Sequence, residues 1–369
     1  MTRVIMIGPV GEHGGVSSHT KGLVRALGGQ GIETFCYDIS GELANIRTRT
    51  TWHAKLFRRI IGQTLTILNK RSDIDLIHTQ ASGGTMGFLP AVISAILGAI
   101  VNVPTVVTFH YGRAAEFVSK HRDLLLFVVK CSSAFILISD SQREVLAKSL
   151  PHVSHRIQVI GNGFDTSLFK PMNSSACRER VDVPQSSKLA CCVANMVAVK
   201  GHRYLIRAAE IISAGNPNFL LVLVGDGPLR ESLEKETQER KIGSCIRFVG
   251  AQPNELIPTW INASDCVVLA SLNEGSPMVM FETMGCGKPL VATKVGGLPE
   301  VVLSERFGIL VPPADPEVLA SAIVRSFETR WDASYIRSNS LQYGWDSIAS
   351  KVALIYRESM NQHLEEHSS

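Results

Sequence analysis

The chain has 369 residues, of which 45% are hydrophobic and 19% charged, with 37 Lys and Arg against 33 Asp and Glu. This composition excludes an intrinsically disordered protein, a collagen-like repeat and a small disulfide-stapled scaffold. The net charge of +4 is too small to indicate nucleic-acid binding. At about 150 residues per domain, the length predicts two domains.

The eight cysteines form neither a Cys-x-x-Cys pair nor a Cys/His pattern with zinc-binding spacing, so no metal site is predicted. Most of them lie in apolar stretches, which is typical of reduced, buried thiols. The first residues lack the apolar core of a signal peptide. We therefore expect a cytoplasmic protein.

Short apolar runs alternate with amphipathic stretches along the first half of the chain. The runs typical of strands lie at 3–8, 32–39, 74–80, 105–110, 134–139 and 156–161. A helix is predicted over 15–29. The stretch from Leu76 to Tyr111 has no charged residue and is long enough for a membrane span. Because prolines and glycines interrupt it, we predict instead a buried helix over 86–101 followed by a buried strand.

The same alternation restarts after about residue 185. The strand-like runs of this half lie at 189–195, 219–225, 245–250, 266–271, 289–294 and 308–313. Runs rich in Val, Ile and Leu that alternate with helices predict parallel sheets buried on both faces. We therefore predict an α/β protein with two doubly wound, Rossmann-like domains, at 1–165 and 187–345, facing each other across a cleft. The polar stretch 166–186 is predicted to link them.

Two features of the first domain suit a ligand at the carboxyl ends of its strands. Gly14 and Gly15 open the first helix, where backbone amides can approach a phosphate. A plain tight turn explains these glycines equally well. His110 ends the strand "TVVTFH", in position for polar contact with a ligand, although a histidine there also serves to cap a helix or fill a gap.

The second domain carries a richer pattern. Lys200 lies at a loop-to-helix junction, where it suits a diphosphate or is simply solvated. Glu274 precedes a Gly-Ser-Pro turn, in which Pro277 suits the first position of a helix. Glu282 follows eight residues after Glu274, and its apolar neighbours indicate a buried carboxylate rather than a surface one. Carboxylates beside a helix N-terminus can hold hydroxyl groups and a phosphate together.

Taken in order, these segments resemble the retaining glycosyltransferases of the GT-B fold in the large family 4 group. The resemblance covers nearly the whole chain, because the motifs follow one another from the first domain to the end of the second. They are "HGGVSSH", "TFHYG", "VIGNGFDTSLFKP", "LLVLVGDGPLRESLE", "EGSPMVMFETMGCGKPLVATKVGGLPE" and "GILVPPADPEVLASAI".

The resemblance implies that the first domain binds the acceptor and the second a nucleoside diphosphate sugar. It implies that 346–369 form a helix that crosses back to the first domain. Transfer of a hexose-type sugar to a glycan, polysaccharide or lipid-linked acceptor is the implied reaction, with retention of configuration. No metal or cofactor is implied, since Lys200 and helix amides stabilise the leaving group. UDP is preferred over GDP as the nucleotide.

The resemblance also implies individual roles. Lys200 would contact the diphosphate, Glu282 the ribose and His110 the donor sugar, while the base would lie near Val249. Catalytic roles fall to His110, Lys200 and Glu274. The implied donor-binding residues are Gly14, Gly15, Asn195, Lys200, Val249, Glu274, Gly275, Ser276, Pro277, Met278 and Glu282.

One position departs from the family pattern. Ala194 and Asn195 stand where the family has Gly and Arg, and the Arg is a diphosphate ligand. Asn195 can donate a hydrogen bond but carries no charge, which could cost about 1.5–3 kcal/mol. Three interpretations stay open: a slower enzyme, a substitute such as Arg203, or a sugar-nucleotide-binding or scaffold protein. The transferase is preferred because the other donor positions match, and a GT-B epimerase matches less well.

A basic amphipathic stretch lies within the first domain. Between residues 43 and 72 the chain has seven Lys and Arg and no acidic residue. Trp52, Lys55, Arg58 and Arg59 would give the predicted helix a basic face beside aromatic side chains, which suits an anionic membrane surface or an anionic acceptor. A solvated face of an ordinary domain helix explains the pattern equally well. The first interpretation adds a peripheral position on the inner face of the cell membrane.

Overall fold

The computed structural model describes residues 1–11, 14–40 and 49–368, without the side chains of residues 49–55, 58, 367 and 368. The chain forms two compact units, one made of Met1–Gly163 with Trp345–Ser369 and the other of Phe164–Gly344. Each unit contains a six-stranded sheet whose strands are all parallel, with helices in the connections. This is the doubly wound α/β fold that the alternating pattern predicts.

The first unit begins with six strands and five helices. In chain order they are β1 (Thr2–Gly8), α1 (Gly15–Gly29), β2 (Ile32–Asp38), α2 (Arg49–Lys70), β3 (Leu76–Ser82), α3 (Thr85–Val101), β4 (Thr105–His110), α4 (Ala114–Cys131), β5 (Ala134–Leu137), α5 (Asp140–Ser149) and β6 (Ile157–Val159). The strand order is β2-β1-β3-β4-β5-β6. The order therefore reverses between β1 and β3, and ligands of such sheets bind at the carboxyl ends beside that point.

The first strand shows why these apolar runs form a central sheet. Val4 and Met6 lie in one buried cluster, and Ile5 and Ile7 lie in another. Successive side chains of a strand point to opposite faces, so an unbroken apolar run covers both faces of the sheet.

The uncharged stretch before β4 forms the buried helix that its sequence predicts. This helix, α3, ends at Asn102, which adopts a left-handed conformation with φ 58° and donates its amide to Gly98 O. Among the described helices, none is long and apolar enough to span a membrane.

The second unit contains the other six strands. In chain order its elements are α6 (Ser174–Arg180), β7 (Lys188–Val193), α7 (His202–Gly215), β8 (Phe219–Val224), α8 (Arg230–Glu239), β9 (Ile246–Gly250), α9 (Ile257–Ala263), β10 (Cys266–Leu269), α10 (Met278–Gly285), β11 (Leu290–Thr293), α11 (Leu298–Val301), β12 (Gly308–Val311), α12 (Pro316–Glu328) and α13 (Ala333–Ser340). The strand order is β12-β11-β10-β7-β8-β9. Counted within the unit and read from β9, this is the 3-2-1-4-5-6 order of the Rossmann fold, and it reverses between β7 and β10.

The polar stretch 166–186 belongs to this second unit. It contains α6, whose cap residue Asn173 accepts a hydrogen bond from the amide of Ala176 at 3.0 Å. The buried guanidinium of Arg178 pairs with Asp265 at 3.0 Å and donates to Ala263 O at 2.9 Å. The polar character of the stretch 166–186 therefore reflects hydrogen bonds that it makes inside the second unit.

The last helix, α14 (Trp345–Ser368), packs within the first unit. Its apolar face shares a buried cluster with Val4 and Met6 of β1. The ring of Trp345 lies where a Cβ on Gly22 or on Gly163 would overlap it. Both positions therefore need glycine for the helix to dock.

Candidate functional site

The reversal in the second sheet brings two of the predicted site residues together. A 3-10 turn, Ala198–Lys200, follows β7, and Ser271 and Glu274 follow β10. Lys200 Nζ donates to Glu274 Oε1 at 2.6 Å, and Ser271 Oγ donates to the same oxygen at 2.6 Å. The sequence pattern indicated Lys200 and Glu274 but missed Ser271, whose only signal is a hydroxyl three residues before Glu274 at a strand end.

This ion pair is shielded on one side. Only 8% of the Glu274 side chain is exposed, against 23% of the Lys200 side chain. An ammonium group has three N–H donors, so Lys200 keeps donors for a ligand while it neutralises the buried carboxylate. The pair can therefore receive an anionic group such as a diphosphate from the solvent side.

Glycine 201 holds the lysine turn against the end of β10. Its φ is +67°, and a Cβ there would overlap the carbonyl oxygen of Ala270. Gly201 is also the cap residue of α7, so the turn that carries Lys200 ends at a helix N-terminus. Anions are favoured at such an end because the first amides lack partners within the helix.

The three residues after Glu274 form the turn that leads into α10. Gly297 donates its amide to Gly275 O at 2.7 Å, and Ser276 is buried. Pro277 has an extended ψ of 125° and caps the helix, which begins at Met278, one residue later than predicted. The extended ψ explains the difference, because a residue inside the helix would have a negative one.

Glu282 lies on α10 and is 9% exposed, as its apolar neighbours predicted. Burial raises the pKa of its carboxyl to about 7, because the charged form loses its hydration. The group therefore changes charge near neutral pH. A ligand whose hydroxyl groups donate to it would favour the carboxylate form.

Asn195 is exposed in the loop after β7. Backbone hydrogen bonds to the end of β8 and to the loop after it hold this segment: Ala194 donates to Val224 O at 3.0 Å, and Met196 donates to Asp226 O at 2.8 Å. The loop geometry is thus fixed by the backbone, whichever side chain occupies position 195.

The candidate substitute Arg203 lies in α7, and the donor position Val249 lies in β9. Arg203, the candidate substitute for the expected arginine, pairs with Glu236 of α8 at 3.4 Å. Val249 is half-buried in β9, and its carbonyl accepts a hydrogen bond from Gln252 Nε2 at 3.3 Å. Arg203 is therefore already engaged with a carboxylate on a neighbouring helix.

In the first unit, Gly14 and Gly15 open α1 next to the reversal point of that sheet. Gly14 has φ 114° and caps the helix, and its carbonyl accepts the amide of Ser18 at 3.0 Å. A Cβ on either glycine would meet no atom within 4 Å. Backbone conformation thus explains Gly14, whereas neither conformation nor packing requires glycine at Gly15.

His110 is the last residue of β4, and buried polar side chains surround it. Its Nε2 lies 2.7 Å from Gln80 Oε1, and its ring lies 4.5 Å from that of His19. Burial, together with His19 and His78, holds the pKa of His110 well below its usual value. His110 is therefore neutral at physiological pH. The sequence pattern missed these three neighbours, because each looks like an ordinary polar residue until the sheet brings the elements together.

Arg59, for which the sequence left open a membrane-facing or acceptor-facing surface and a solvated helix face, donates hydrogen bonds inside its unit. Its guanidinium donates to Met86 O at 3.3 Å and also to Ile39 O. Pro90 lies inside α3 and lacks an amide, so it leaves the carbonyl of Met86 without its helical partner. Arg59 therefore satisfies a gap in α3. The side chains of Trp52, Lys55 and Arg58 lie outside the described residues.

No cluster of three or more His, Cys, Asp or Glu within the described residues is arranged to hold a metal ion. Six of the eight cysteines are buried, as predicted, whereas Cys36 and Cys131 are exposed.

These features define the class of the molecule: a doubly wound α/β protein whose second unit has the Rossmann strand order and a Lys–Glu pair at the reversal point. Residues 174–341 match the family described as glycosyl transferases group 1, and residues 13–168 match glycosyltransferase family 4. Together the two matches cover most of the chain, one in each half. Each half of the chain therefore resembles a glycosyltransferase domain, and the two parallel six-stranded sheets with helices have the GT-B architecture.

Individual relatives agree with this assignment. A D-inositol 3-phosphate glycosyltransferase of Corynebacterium urealyticum is 29% identical over 241 residues, which is 61% of this chain and 57% of that protein. This chain thus spans little more than half the length of that relative. The UDP-Gal:alpha-D-GlcNAc-diphosphoundecaprenol alpha-1,3-galactosyltransferase of Escherichia coli is 28% identical over 269 residues, 70% of this chain and 67% of that one.

Among solved structures, the sucrose-phosphate synthase of Thermosynechococcus elongatus is similar with a TM-score of 0.78 and 23% identity, covering 97% of this chain and 99% of its own. At this identity the likeness establishes the fold alone.

Proposed function

We propose that this chain is a retaining glycosyltransferase that moves a hexose-type sugar from a nucleoside diphosphate sugar to a glycan, polysaccharide or lipid-linked acceptor. The observation that carries the proposal is the Lys200–Glu274 pair at the reversal point of the second sheet, with 2.6 Å between Nζ and Oε1. A cation held by a buried carboxylate at this point suits a diphosphate leaving group.

The second unit is the proposed donor-binding unit. Lys200 contacts the diphosphate, and Asn195 donates to it where the family pattern has an arginine. Glu282 accepts hydrogen bonds from the ribose, and the base lies near Val249. Glu274 and the turn from Gly275 through Ser276 and Pro277 to Met278 hold the sugar. Charge that develops on the leaving group is then stabilised by Lys200 and by helix amides, without a metal ion.

The first unit is the proposed acceptor-binding unit. From it, Gly14 and Gly15 approach the diphosphate and His110 contacts the donor sugar. Residues 346–369, within and just beyond α14, complete this unit.

UDP is the proposed nucleotide, and the name of the Escherichia coli relative, which uses UDP-Gal, supports it. The same name includes a diphosphoundecaprenol acceptor, which supports a lipid-linked acceptor here.

A cytoplasmic enzyme at the inner face of the membrane would meet such an acceptor. Phe57 and Leu65 of α2 are 67% and 51% exposed, so they supply apolar surface for that contact. Arg59 does not take part in it, because its guanidinium donates to Met86 O inside the unit. Binding to anionic vesicles at low salt, compared between wild type and Phe57→Ser, tests the contact.

Thermal unfolding with UDP, GDP, ADP and CMP, each with and without attached sugars, tests the donor site. A ligand at a hundred times its dissociation constant stabilises the folded protein by about 2.7 kcal/mol. We expect one nucleotide to raise the melting temperature of the wild type, and Lys200→Ala to lose most of the shift. Lys235→Ala, on the exposed face of α8, is the matched control. Equal shifts in both variants would contradict the assigned role of Lys200.

The product decides the reaction. Once a donor and an acceptor are found, the anomeric configuration of the new linkage is read from proton NMR coupling constants. Retention supports the proposal, and inversion overturns its stereochemical part.

A second candidate is a sugar-nucleotide-binding or scaffold protein with little or no turnover. Two observations favour it: Asn195 brings no charge, and Arg203 is paired with Glu236. Slow release of nucleoside diphosphate from one sugar nucleotide supports the transferase, and Asn195→Arg should accelerate it. Tight binding without release in either protein favours the second candidate.

A further inference from the structure

A hydrogen-bonded chain runs inside the first unit from α14 to the end of β4. Tyr356 Oη lies 2.6 Å from His78 Nδ1, and His78 Nε2 lies 3.2 Å from Gln80 Nε2. Gln80 Oε1 lies 2.7 Å from His110 Nε2. Tyr356, His78 and Gln80 are at most 1% exposed, so water does not compete for these bonds.

The amide of Gln80 gives this chain a direction, because its oxygen only accepts and its nitrogen only donates. Since Oε1 faces His110 Nε2, that ring nitrogen carries the proton. Since the amide nitrogen faces His78 Nε2, that nitrogen accepts, and the proton of His78 is on Nδ1, which donates to Tyr356 Oη. Thr108 Oγ1, 2.8 Å from His78 Nε2, shares this single lone pair with the longer contact from Gln80, whose amide nitrogen also donates to Met6 Sδ at 3.3 Å.

A neutral imidazole has one N–H, so His110 in this state has its lone pair on Nδ1. The ring of His110 also packs edge-on against that of His19, with 4.5 Å between the ring centroids. The ring of His19 packs in turn against that of Trp345, with 5.2 Å between centroids. Two residues of α14 are thus connected to His110 by separate contacts. Trp345 is connected through His19, and Tyr356 is connected through His78 and Gln80.

The end of β1 leaves room for this arrangement. A Cβ on Gly8 would lie 2.9 Å from Gln80 Cγ, tighter than ordinary packing allows. Gly8 therefore permits Gln80 to lie across the strand end with both amide atoms in hydrogen-bond contact.

We propose that Gln80 is a positioning residue that holds His110 in the Nε2–H form, so that Nδ1 accepts a hydrogen bond from a hydroxyl group of the donor sugar. The sugar contact rests on the proposed function, whereas the tautomer does not. The two parts are therefore tested separately.

The first experiment reads the tautomers directly in the full-length, ligand-free protein with ¹⁵N-labelled histidine. Long-range ¹H–¹⁵N NMR is expected to give Nε2–H for His110 and Nδ1–H for His78, with His110→Gln and His78→Gln identifying the signals. In Gln80→Leu, His110 is expected to become a mixture of tautomers. Nδ1–H on His110 in the wild type, which the opposite orientation of the Gln80 amide would produce, overturns the proposal.

The second experiment measures turnover of UDP-glucose and UDP-galactose against pH. Gln80→Glu keeps an acceptor at His110 Nε2 but adds a negative charge, which raises the pKa of His110 toward neutrality. The imidazolium has no lone pair, so the activity of this variant should fall at least about tenfold from about pH 8 to about pH 6. The wild type shares any pH dependence that Glu282 brings, since the pKa of that carboxyl is about 7, so the fall is measured as the ratio of variant to wild-type activity. The titratable groups that face His110 are His19 of α1 and His78 of β3, with Tyr356 of α14 behind His78.

Gln63→Leu is the matched control. Gln63 is also fully buried in the first unit, where it donates to Pro90 O at 2.8 Å and to Ser94 Oγ at 2.9 Å. Its loss should lower stability but leave the His110 tautomer and the pH profile unchanged. A ratio of Gln80→Glu to wild-type activity that does not change with pH overturns the positioning role. A wild type that turns over no sugar nucleotide overturns the proposed function and the sugar contact, and the NMR result still decides the tautomer.

Discussion

Lys200 and Glu274 meet where the carboxylate has little access to water, so each depends on the other. Breaking a buried ion pair from one side leaves an uncompensated charge and costs about 3 kcal/mol, whereas removing both charges costs less. We expect Lys200→Met to destabilise the protein by roughly that amount, and Lys200→Met with Glu274→Gln to recover part of it. Urea unfolding checks both.

The control for this comparison is Lys235→Met. Lys235 is 75% exposed and lies 3.8 Å from Glu239, and exposed pairs of this kind contribute less than about 1 kcal/mol. If Lys200→Met were no more costly than Lys235→Met, the shielded ion pair would contribute nothing to stability.

Glu282 gives the protein a pH dependence of known sign. Burial raises the pKa of the carboxyl from 4.5 to about 7, so the folded state favours the protonated form. The stability from this group is complete below about pH 4.5 and is lost as pH rises through about 7. The wild type should therefore lose about 3 kcal/mol of its free energy of unfolding between about pH 4.5 and alkaline pH, and we expect Glu282→Gln not to show this loss. Urea unfolding across this pH range measures it. Identical pH slopes in the two proteins would exclude this origin.

At the scale of elements, α2 supplies a hydrogen-bond donor that α3 lacks. Pro90 leaves the Met86 carbonyl unpaired in its helix, and Arg59 donates to it from α2. Arg59→Met should cost about 1–3 kcal/mol. In a Pro90→Ala background the helix regains its own donor, so the same substitution should cost about 1 kcal/mol less.

A double-mutant cycle by chemical denaturation measures this coupling. Arg122→Met, which removes an arginine 55% exposed on α4, should cost little in either background. Additive losses for Arg59→Met and Pro90→Ala would mean that the arginine is not acting through the helix gap.

The elements themselves were readable from sequence because buried parallel strands must be apolar on both faces. The helix predicted over 15–29 has those bounds in the structure, and that over 86–101 begins one residue earlier. Local sequence did not reveal which polar groups bond to each other. Arg59 looked like a solvated cation because its acceptors, Ile39 and Met86, come from two other segments.

The same limit applies to the candidate site. Lys200, Glu274 and Glu282 stand beside glycines, prolines and apolar residues that single them out locally. Gln80 and His78 carry no such signal, since their contacts span 30 and 278 residues to His110 and Tyr356. Only the strand order brings these side chains to one end of the sheet.

At the scale of the whole molecule, the first unit depends on α14. Six residues of this helix are in its buried cluster with β1: Ile348, Ala349, Val352, Ala353, Ile355 and Tyr356. Burying their apolar groups contributes roughly 10 kcal/mol, comparable with the total stability of a domain. We therefore expect a chain that stops at Gly344 to lose the fold of its first unit and to keep that of the second.

Hydrogen exchange read by mass spectrometry separates the two units peptide by peptide. Ile348→Ala should accelerate exchange in the first unit, because its side chain is 1% exposed, whereas Leu354→Ala, at a position 53% exposed, should not. Full protection of the first unit in the shortened chain would mean that α14 is dispensable.

The discontinuous first unit has a consequence for how the protein forms during translation. Gly22 and Gly163, which receive the Trp345 ring, leave the ribosome long before that ring does. At 5–20 residues per second, the stretch between Gly163 and Trp345 takes roughly ten to forty seconds to synthesise. Throughout that delay the nascent first unit exposes the apolar face that α14 will cover, while the second unit emerges with all of its own sheet. The part of the chain made first is therefore completed last, and a chaperone that shields nascent chains would act on the face of β1 and α1.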